Sequence, residues 1–374
     1  MDRTKFSLLL ILAGIAGLVW YLADDTQVVA KFDGTPPSTP AEVEQLPEGA
    51  NFGYEPDAER TQEFLQAMPG GKATLREQAP ELFVGDNKES VVLYPALYIA
   101  YEQRYPGSKW VVGKQGIGDC VSWGWAHGAD IHLAVLKRLG LVSEWKPAAT
   151  EAIYGGSRVE ARGRTSGGWS DGSYGAAAAK WVRDWGVVFR QDYTSLAGSE
   201  TDLSKYSSAK AKQWGNFGCG GRDDNGRLDR IAKEHPIKTV ALVTTWDETV
   251  AAIENGYPIP VCSGQGFSST RDKDGFCRAS GSWAHCMVAL GVRHDREGVL
   301  ILNSWGPNWV NGPKWPTGEG YSPGHPRGPP PAMPDGSFWC ERRTWERMIA
   351  GRDSFAVSGF EGFPKRRLKN SEGW

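Results

Sequence analysis

A chain of 374 residues, 40% hydrophobic and 23% charged, can bury the core of one large domain or two medium ones, which excludes disorder throughout. Its 42 Lys and Arg against 44 Asp and Glu leave a formal charge of −2, so no global basic field holds nucleic acid or an anionic membrane surface. Six cysteines are too few for a disulfide scaffold but enough for one reactive thiol and a bridge or two.

Arg3 and Lys5 precede a run from Phe6 to Ala23 with no charged residue, closed by Asp24 and Asp25. A helix of that length spans roughly 27 Å, close to the ~30 Å hydrocarbon core. Bulky Val19, Trp20, Tyr21 and Leu22 end the run where a processing site needs small residues, so residues 1–23 read as a membrane-targeting helix, a signal anchor in preference to a cleaved signal peptide. The basic first flank places the rest of the chain on the extracytoplasmic side, or leads to secretion if the segment is cleaved, and either compartment permits disulfides.

Residues 24–106 read as a tether and N-terminal extension, in which Pro36, Pro37, Pro40 and Pro47 prevent any long helix before a short amphipathic one at 58–68. Phe64 and Leu65 face inward there, and Pro69-Gly70-Gly71 stops the helix. The apolar stretch 90–101 leads into the main domain. Over 120–139, Val121, Trp125, Ala129, His132, Leu133, Leu136 and Leu139 recur near the 3.6 period and predict a helix. Gly124 and Gly128 each cost that helix about 1 kcal/mol against alanine, and their spacing of four suits close backbone packing. A second helix is predicted at 174–185. Beyond it, 240–244, 259–262, 287–292 and 299–303 are β-rich runs that predict an antiparallel sheet, with a helix at 249–255. A proline-rich loop from Pro307 to Pro334, a helix at 342–349 and a basic tail at 363–374 complete the chain.

Chemistry concentrates in three separated blocks. In Gln115-Gly-Ile-Gly-Asp-Cys120-Val-Ser-Trp a thiol sits where a Gly-rich approach meets a helix start, whose amides favour the thiolate. In Ser282-Trp-Ala-His285-Cys-Met-Val an imidazole lies on a β run and can protonate a leaving group. Leu302-Asn303-Ser304-Trp305-Gly306 supplies an amide that can orient that imidazole.

These blocks, in this order, resemble the papain family of cysteine peptidases over roughly residues 107–362. The resemblance implies an α+β papain-like fold of two lobes, one helical and one an antiparallel β-sheet, with the active site in the cleft between them. It implies Cys120 as nucleophile, His285 as general acid/base, Asn303 as its orienter, and Gln115 as oxyanion donor with the Cys120 amide. Trp305 would shield the His285–Asn303 contact, and Gly167, Gly168 and Trp169 would align the substrate backbone. The implied activity is peptide-bond hydrolysis of a protein or peptide through a thioester, with no cofactor and no metal. Departures from the family pattern are the four residues between Gln115 and Cys120, one fewer than usual, Asp119 where a small neutral residue is typical, and the interruption after Trp305 by Pro307 and its loop. The helical inhibitory propeptide of many relatives is not recognisable in residues 24–106.

Other readings compete. A catalytically weak binding module would keep the fold without the chemistry, and a peptidoglycan amidase or transferase would use the same dyad. Gly168-Trp-Ser170-Asp-Gly172 matches a serine nucleophile elbow but lacks the apolar strand that must precede it. His127 and His132 lie five apart, off the spacing that sets two zinc ligands side by side. Cys262, Cys277, Cys286 and Cys340 allow three pairings, Cys262 with Cys277 being the first choice, and Cys219 is the odd thiol.

Overall fold

The computed structural model describes residues 52–84, 90–163, 171–235, 237–315 and 332–368. The apolar run at 6–23 lies outside them, as do Gly167, Gly168, Trp169 and Ser170. Among the described residues no helix is long and apolar enough to cross a membrane.

The first helix, α1 (Ala58–Gln66), is capped by Asp57, which accepts from the Arg60 amide, and it buries Phe64 and Leu65 as its pattern predicts. The stretch from residue 90 resolves into a short strand, β1 (Val91–Val92), and α2 (Tyr94–Arg104). Then comes α3 (Cys120–Arg138), the predicted long helix, followed by α4 (Thr150–Gly156), α5 (Gly175–Asp184) and α6 (Ser208–Phe217). The sequence patterns do not reveal α4 or α6, because short helices with Gly155, Gly156 and Gly215 inside them carry little periodic signal.

The second half holds β2 (Thr239–Leu242), α7 (Trp246–Glu254), β3 (Ile259–Arg271), β4 (Cys277–Arg293), β5 (Gly298–Leu302), β6 (Ser337–Glu341), α8 (Arg342–Ile349) and β7 (Phe355–Ser358). β4 is the long central strand. β3 and then β1 pair antiparallel along one edge of it, β5 along the other, and β6 lies beyond β5. One expectation fails here: the 240–244 run does not join this sheet. It pairs instead with β7, Leu242 opposite Phe355 and Val240 opposite Val357, in a separate two-stranded ladder. Four apolar residues specify a strand but not its partner, and Val240, Leu242, Phe355 and Val357 together face the helical core.

Two buried clusters result, and α3 is wedged between them. Its first half gives Cys120, Val121, Trp125, Ala126 and Ala129 to a cluster with Ile153, Trp181 and Trp214, whereas Ile131, Ala134 and Val135 join the cluster of the main sheet. This double burial explains why the helix is apolar nearly all round. The glycines at 124 and 128 serve the contact predicted for them: a Cβ at Gly124 would lie 2.8 Å from the Met287 carbonyl oxygen, and one at Gly128 2.9 Å from Pro260. The helix start is therefore held against β4 at backbone distance.

The disulfide differs from the first choice. Cys262 pairs with Cys286, its direct neighbour in the β3–β4 ladder, with Cα atoms 4.1 Å apart. Cys277 lies opposite Arg271 at the far end of that hairpin, out of reach of Cys262. Cys120, Cys219, Cys277 and Cys340 are buried and lie outside this disulfide.

Candidate active site

The two loops that carry the first and third sequence blocks are joined through their backbones. Gln115 donates its amide to the Ser304 carbonyl at 2.9 Å, Gly306 donates to Gly113 at 3.1 Å, and Lys114 bridges Trp305. Ser304 Oγ also donates to Gln115 Oε1 at 2.6 Å, while Gln115 Nε2 donates to the Ile117 carbonyl at 2.9 Å. Gln115 is thus brought beside Asn303, with its amide fixed by both neighbours.

His285 stands on β4 opposite Ser263, and Asn303 follows directly on the end of β5, so strand register sets their separation. Asn303 Oδ1 lies 2.7 Å from His285 Nε2 and accepts from the Ser304 amide at 2.6 Å. A backbone amide can only donate, which identifies that atom as oxygen, places the ring proton on Nε2 and leaves Nδ1 as the basic nitrogen of the neutral ring. His285 Nδ1 is buried without a hydrogen-bond partner. Trp305 covers the pair, its ring centroid 4.7 Å from that of His285.

Cys120 opens α3, and the Cys286, Gly53 and Val121 amides aim at its sulfur. The thiol therefore lies beside the backbone that carries His285. Burial pushes its pKa up to about 12, and Asp119 adds to the rise, so the lowering expected from the helix-start amide of Val121 is present but outweighed. Burial likewise holds His285 down at about 4 against the opposing pull of Asn303. In this closed site both groups are neutral. Asp119 is itself buried and pushed well above the carboxylate range, chiefly by desolvation, with Tyr206 Oη donating to it at 2.9 Å and Trp123 Nε1 at 3.2 Å.

What closes the site is the chain itself. Residues 52–55, read from sequence as part of an extension, lie across it. Gly53 and Tyr54 donate their amides to the Ala284 carbonyl at 3.3 and 3.1 Å. Ser173 donates to the Gly53 carbonyl at 2.9 Å and accepts from the Glu55 amide at 2.8 Å, a parallel bridge centred on Tyr54. The Phe52 ring meets His285 and Trp305 edge-on, with centroids 6.0 and 5.6 Å away. Only glycine fits at position 53, where a Cβ would fall 1.7 Å from the Gly118 carbonyl oxygen. The Gly53 carbonyl is turned toward Ser173.

Sequence reasoning missed Phe52, Gly53, Tyr54 and Ser173. Their only signal was weak, a Gly172-Ser173 step just before the predicted helix at 174. His127 and His132 both lie buried in α3, His127 between the Trp110 and Trp123 rings and His132 with both ring nitrogens hydrogen-bonded to backbone.

No protein-family model matches this sequence, and no curated protein is similar to it. Solved structures are similar in fold. Xylellain, a cysteine protease from Xylella fastidiosa, matches with a TM-score of 0.51 at 13% identity, over 84% of this chain and 97% of its own. Digestive procathepsin L 3 of Tenebrio molitor gives 0.42 at 15% identity over 80% of this chain and 79% of its own, and procathepsin B S9 of Trypanosoma congolense 0.43 at 9% over 86% and 85%. The last two are too distant to carry weight.

Proposed function

We propose, on the papain-like fold that this chain shares with xylellain, that it is a cysteine peptidase acting on proteins or peptides. One observation carries the reading: a thiol at a helix start lies against the strand of a histidine whose Nε2 is tied to Asn303 and whose Nδ1 has no partner. With the cleft open, His285 Nδ1 takes the Cys120 proton, and the thiolate attacks the substrate carbonyl. Gln115 and the Cys120 amide stabilise the oxyanion, the imidazolium returns its proton to the leaving amine, and a thioester remains. Water activated by His285 then releases the acid. Asn303 keeps the ring in the productive tautomer, and Trp305 screens their bond from solvent.

An epoxide inhibitor that alkylates active-site thiols tests this on the full chain carrying Phe52→Ala, which loosens the covering segment. Labelling at Cys120 that disappears in a further Cys120→Ala change and falls in His285→Ala supports the reading. A folded chain that never labels instead favours a binding module, the second reading, which the covered site and the protonated thiol support. Release of wall fragments, without cleavage of unfolded protein, would redirect the chemistry to an amidase. Residues 6–23 serve in this proposal as the anchor, with the peptidase domain on the extracytoplasmic side, a placement that the Cys262–Cys286 disulfide supports.

A further inference from the structure

The short loop between Gln115 and Cys120 is braced at each of its four residues. The Gly116 amide donates to Tyr206 Oη at 3.0 Å, the Ile117 carbonyl accepts from Gln115 Nε2 at 2.9 Å, and the Gly118 amide donates to Asp171 Oδ2 at 2.7 Å. Asp119 Oδ2 accepts from Tyr206 Oη at 2.9 Å and from Trp123 Nε1 at 3.2 Å. Tyr206 therefore touches the loop twice, at the residue after Gln115 and at the residue before Cys120. A backbone amide can only donate, so the phenol oxygen accepts from Gly116 and gives its own proton to Asp119. Its two partners adjoin the two groups that the proposed mechanism assigns to the oxyanion, the Gln115 side-chain amide and the Cys120 backbone amide.

Tyr206 is itself a fixed post, two residues before α6. Its ring meets that of Trp123 edge-on with centroids 5.0 Å apart, and the Arg190 guanidinium lies 5.9 Å from the ring centre. The next residue, Ser207, gives its amide to Glu151 Oε1 at 2.8 Å, and Glu151 is fully buried and paired with Arg190 at 2.7 Å. Gly116, by contrast, is exposed, so water can replace the phenol at its amide, and Asp119 Oδ2 keeps Trp123. Removing the hydroxyl thus releases the loop without stranding a buried donor.

We propose that Tyr206 is a positioning residue for the oxyanion, its paired hydrogen bonds to Gly116 and Asp119 fixing the spacing between the Gln115 side chain and the Cys120 amide across a loop one residue shorter than the papain family's. This rests on the peptidase reading. Both bonds end on the loop, so loss of the hydroxyl is felt where charge develops on the carbonyl oxygen and little where the sulfur alone reacts. Displaced oxyanion donors lower kcat by about tenfold to hundredfold.

The test uses the full chain carrying Phe52→Ala as parent, with and without Tyr206→Phe, and a fluorogenic peptide chosen from a mixed-sequence library because the parent cleaves it fastest. In Tyr206→Phe kcat should fall about tenfold to hundredfold while KM stays within about threefold. A peptide aldehyde of the same sequence takes the Cys120 sulfur at its carbonyl carbon, the π pair moving to oxygen and the thiol proton following, which puts that oxygen in the oxyanion position. Its affinity should fall by a similar factor. Epoxide labelling of Cys120 opens a ring without forming a tetrahedral carbonyl centre, so its rate should stay within about threefold, and it reports a folded site. Asp119→Asn keeps an oxygen for the hydroxyl and should lose less than about a third of the factor lost in Tyr206→Phe; an equal loss overturns the proposal. Full kcat in Tyr206→Phe overturns it and leaves the peptidase reading standing. A fall shared by labelling overturns it as well, since the hydroxyl would then act on the thiol, and so does a Tyr206→Phe chain that fails to fold, whose hydroxyl would be a strut of the core. A parent that neither labels nor cleaves overturns both readings.

Discussion

Of the three buried imidazoles among the described residues, His132 within α3 and His285 beside its start are two that burial treats alike and hydrogen bonding treats differently. His132, in the second half of the helix, and His285, on β4 beside its start, are both held down at about 4 by desolvation. His132 donates from Nδ1 to the Gly256 carbonyl at 3.1 Å and accepts from the Gly359 amide at Nε2 at 2.9 Å. His285 has Asn303 on one nitrogen and nothing on the other. A saturated ring is a strut between segments, whereas a ring with one unpartnered nitrogen in a dry site is available to move a proton. The depressed pKa alone cannot separate them.

The largest effects should separate them completely. His285→Ala or Cys120→Ala in the loosened chain should lower peptide cleavage by at least about a thousandfold in protein that still folds. His132→Ala should do the reverse. It strands the Gly256 carbonyl and the Gly359 amide inside the core, at a cost of about 2–4 kcal/mol in chemical denaturation, while the fraction still folded labels normally at Cys120. Loss of labelling in folded His132→Ala would break the distinction.

How far this contrast could be read from sequence depends on how local its causes are. Cys120, His285 and Asn303 sit in short blocks whose order and neighbours are informative, and the helix over 120–139 followed from its period. The spacing of Gly124 and Gly128 pointed to close packing, though not to its partners, β4 at Gly124 and Pro260 of β3 at Gly128. The lid of the site was not legible, because Phe52-Gly53-Tyr54-Glu55 has no periodicity and its partners are Ser173 and Ala284, more than a hundred residues away. The pairing of β2 with β7, and of Cys262 with Cys286, needed a register that apolar runs do not encode.

Smaller effects sharpen the account of the covered site. Gly124→Ala should destabilise the fold by about 1–3 kcal/mol, since the new methyl meets the Met287 carbonyl and the Cys286 sulfur and backbone cannot yield cheaply. The Phe52 ring meets His285 edge-on, and the buried thiol, pushed up to about 12, should react with iodoacetamide slowly at pH 7–8. Phe52→Ala should raise that rate about tenfold, because readmitted water removes the desolvation that protonates the sulfur. Unchanged alkylation would show that residues 52–55 do not set the ionisation of the pair.

The finest test is acid stability. His127, His132 and His285 are all held at about 4 in the folded chain, against about 6.5 when unfolded, so the unfolded chain binds more protons between those values. Their contribution is whole above pH 6.5 and is lost as pH falls through 4. Asp130, pushed by burial up to about 8, and Asp353, up to about 7, act in the opposite sense: their contribution is whole below about 4 and is lost as pH rises through 7 to 8. Between pH 4 and 6.5 the two sets oppose each other, and the profile of the parent chain is flattened. His132→Gln removes one proton's worth of that balance, and its stability relative to the parent should improve on acidification by up to ~1.4 kcal/mol per pH unit. Asp130→Asn should shift the relative stability the other way. His285→Gln should match His132→Gln in slope while abolishing labelling at Cys120, since solvent exclusion is common to both rings and the unpartnered nitrogen belongs to one. Denaturation curves for His132→Gln that run parallel to the parent from pH 4.5 to 6.5 would mean that burial does not hold these imidazoles neutral.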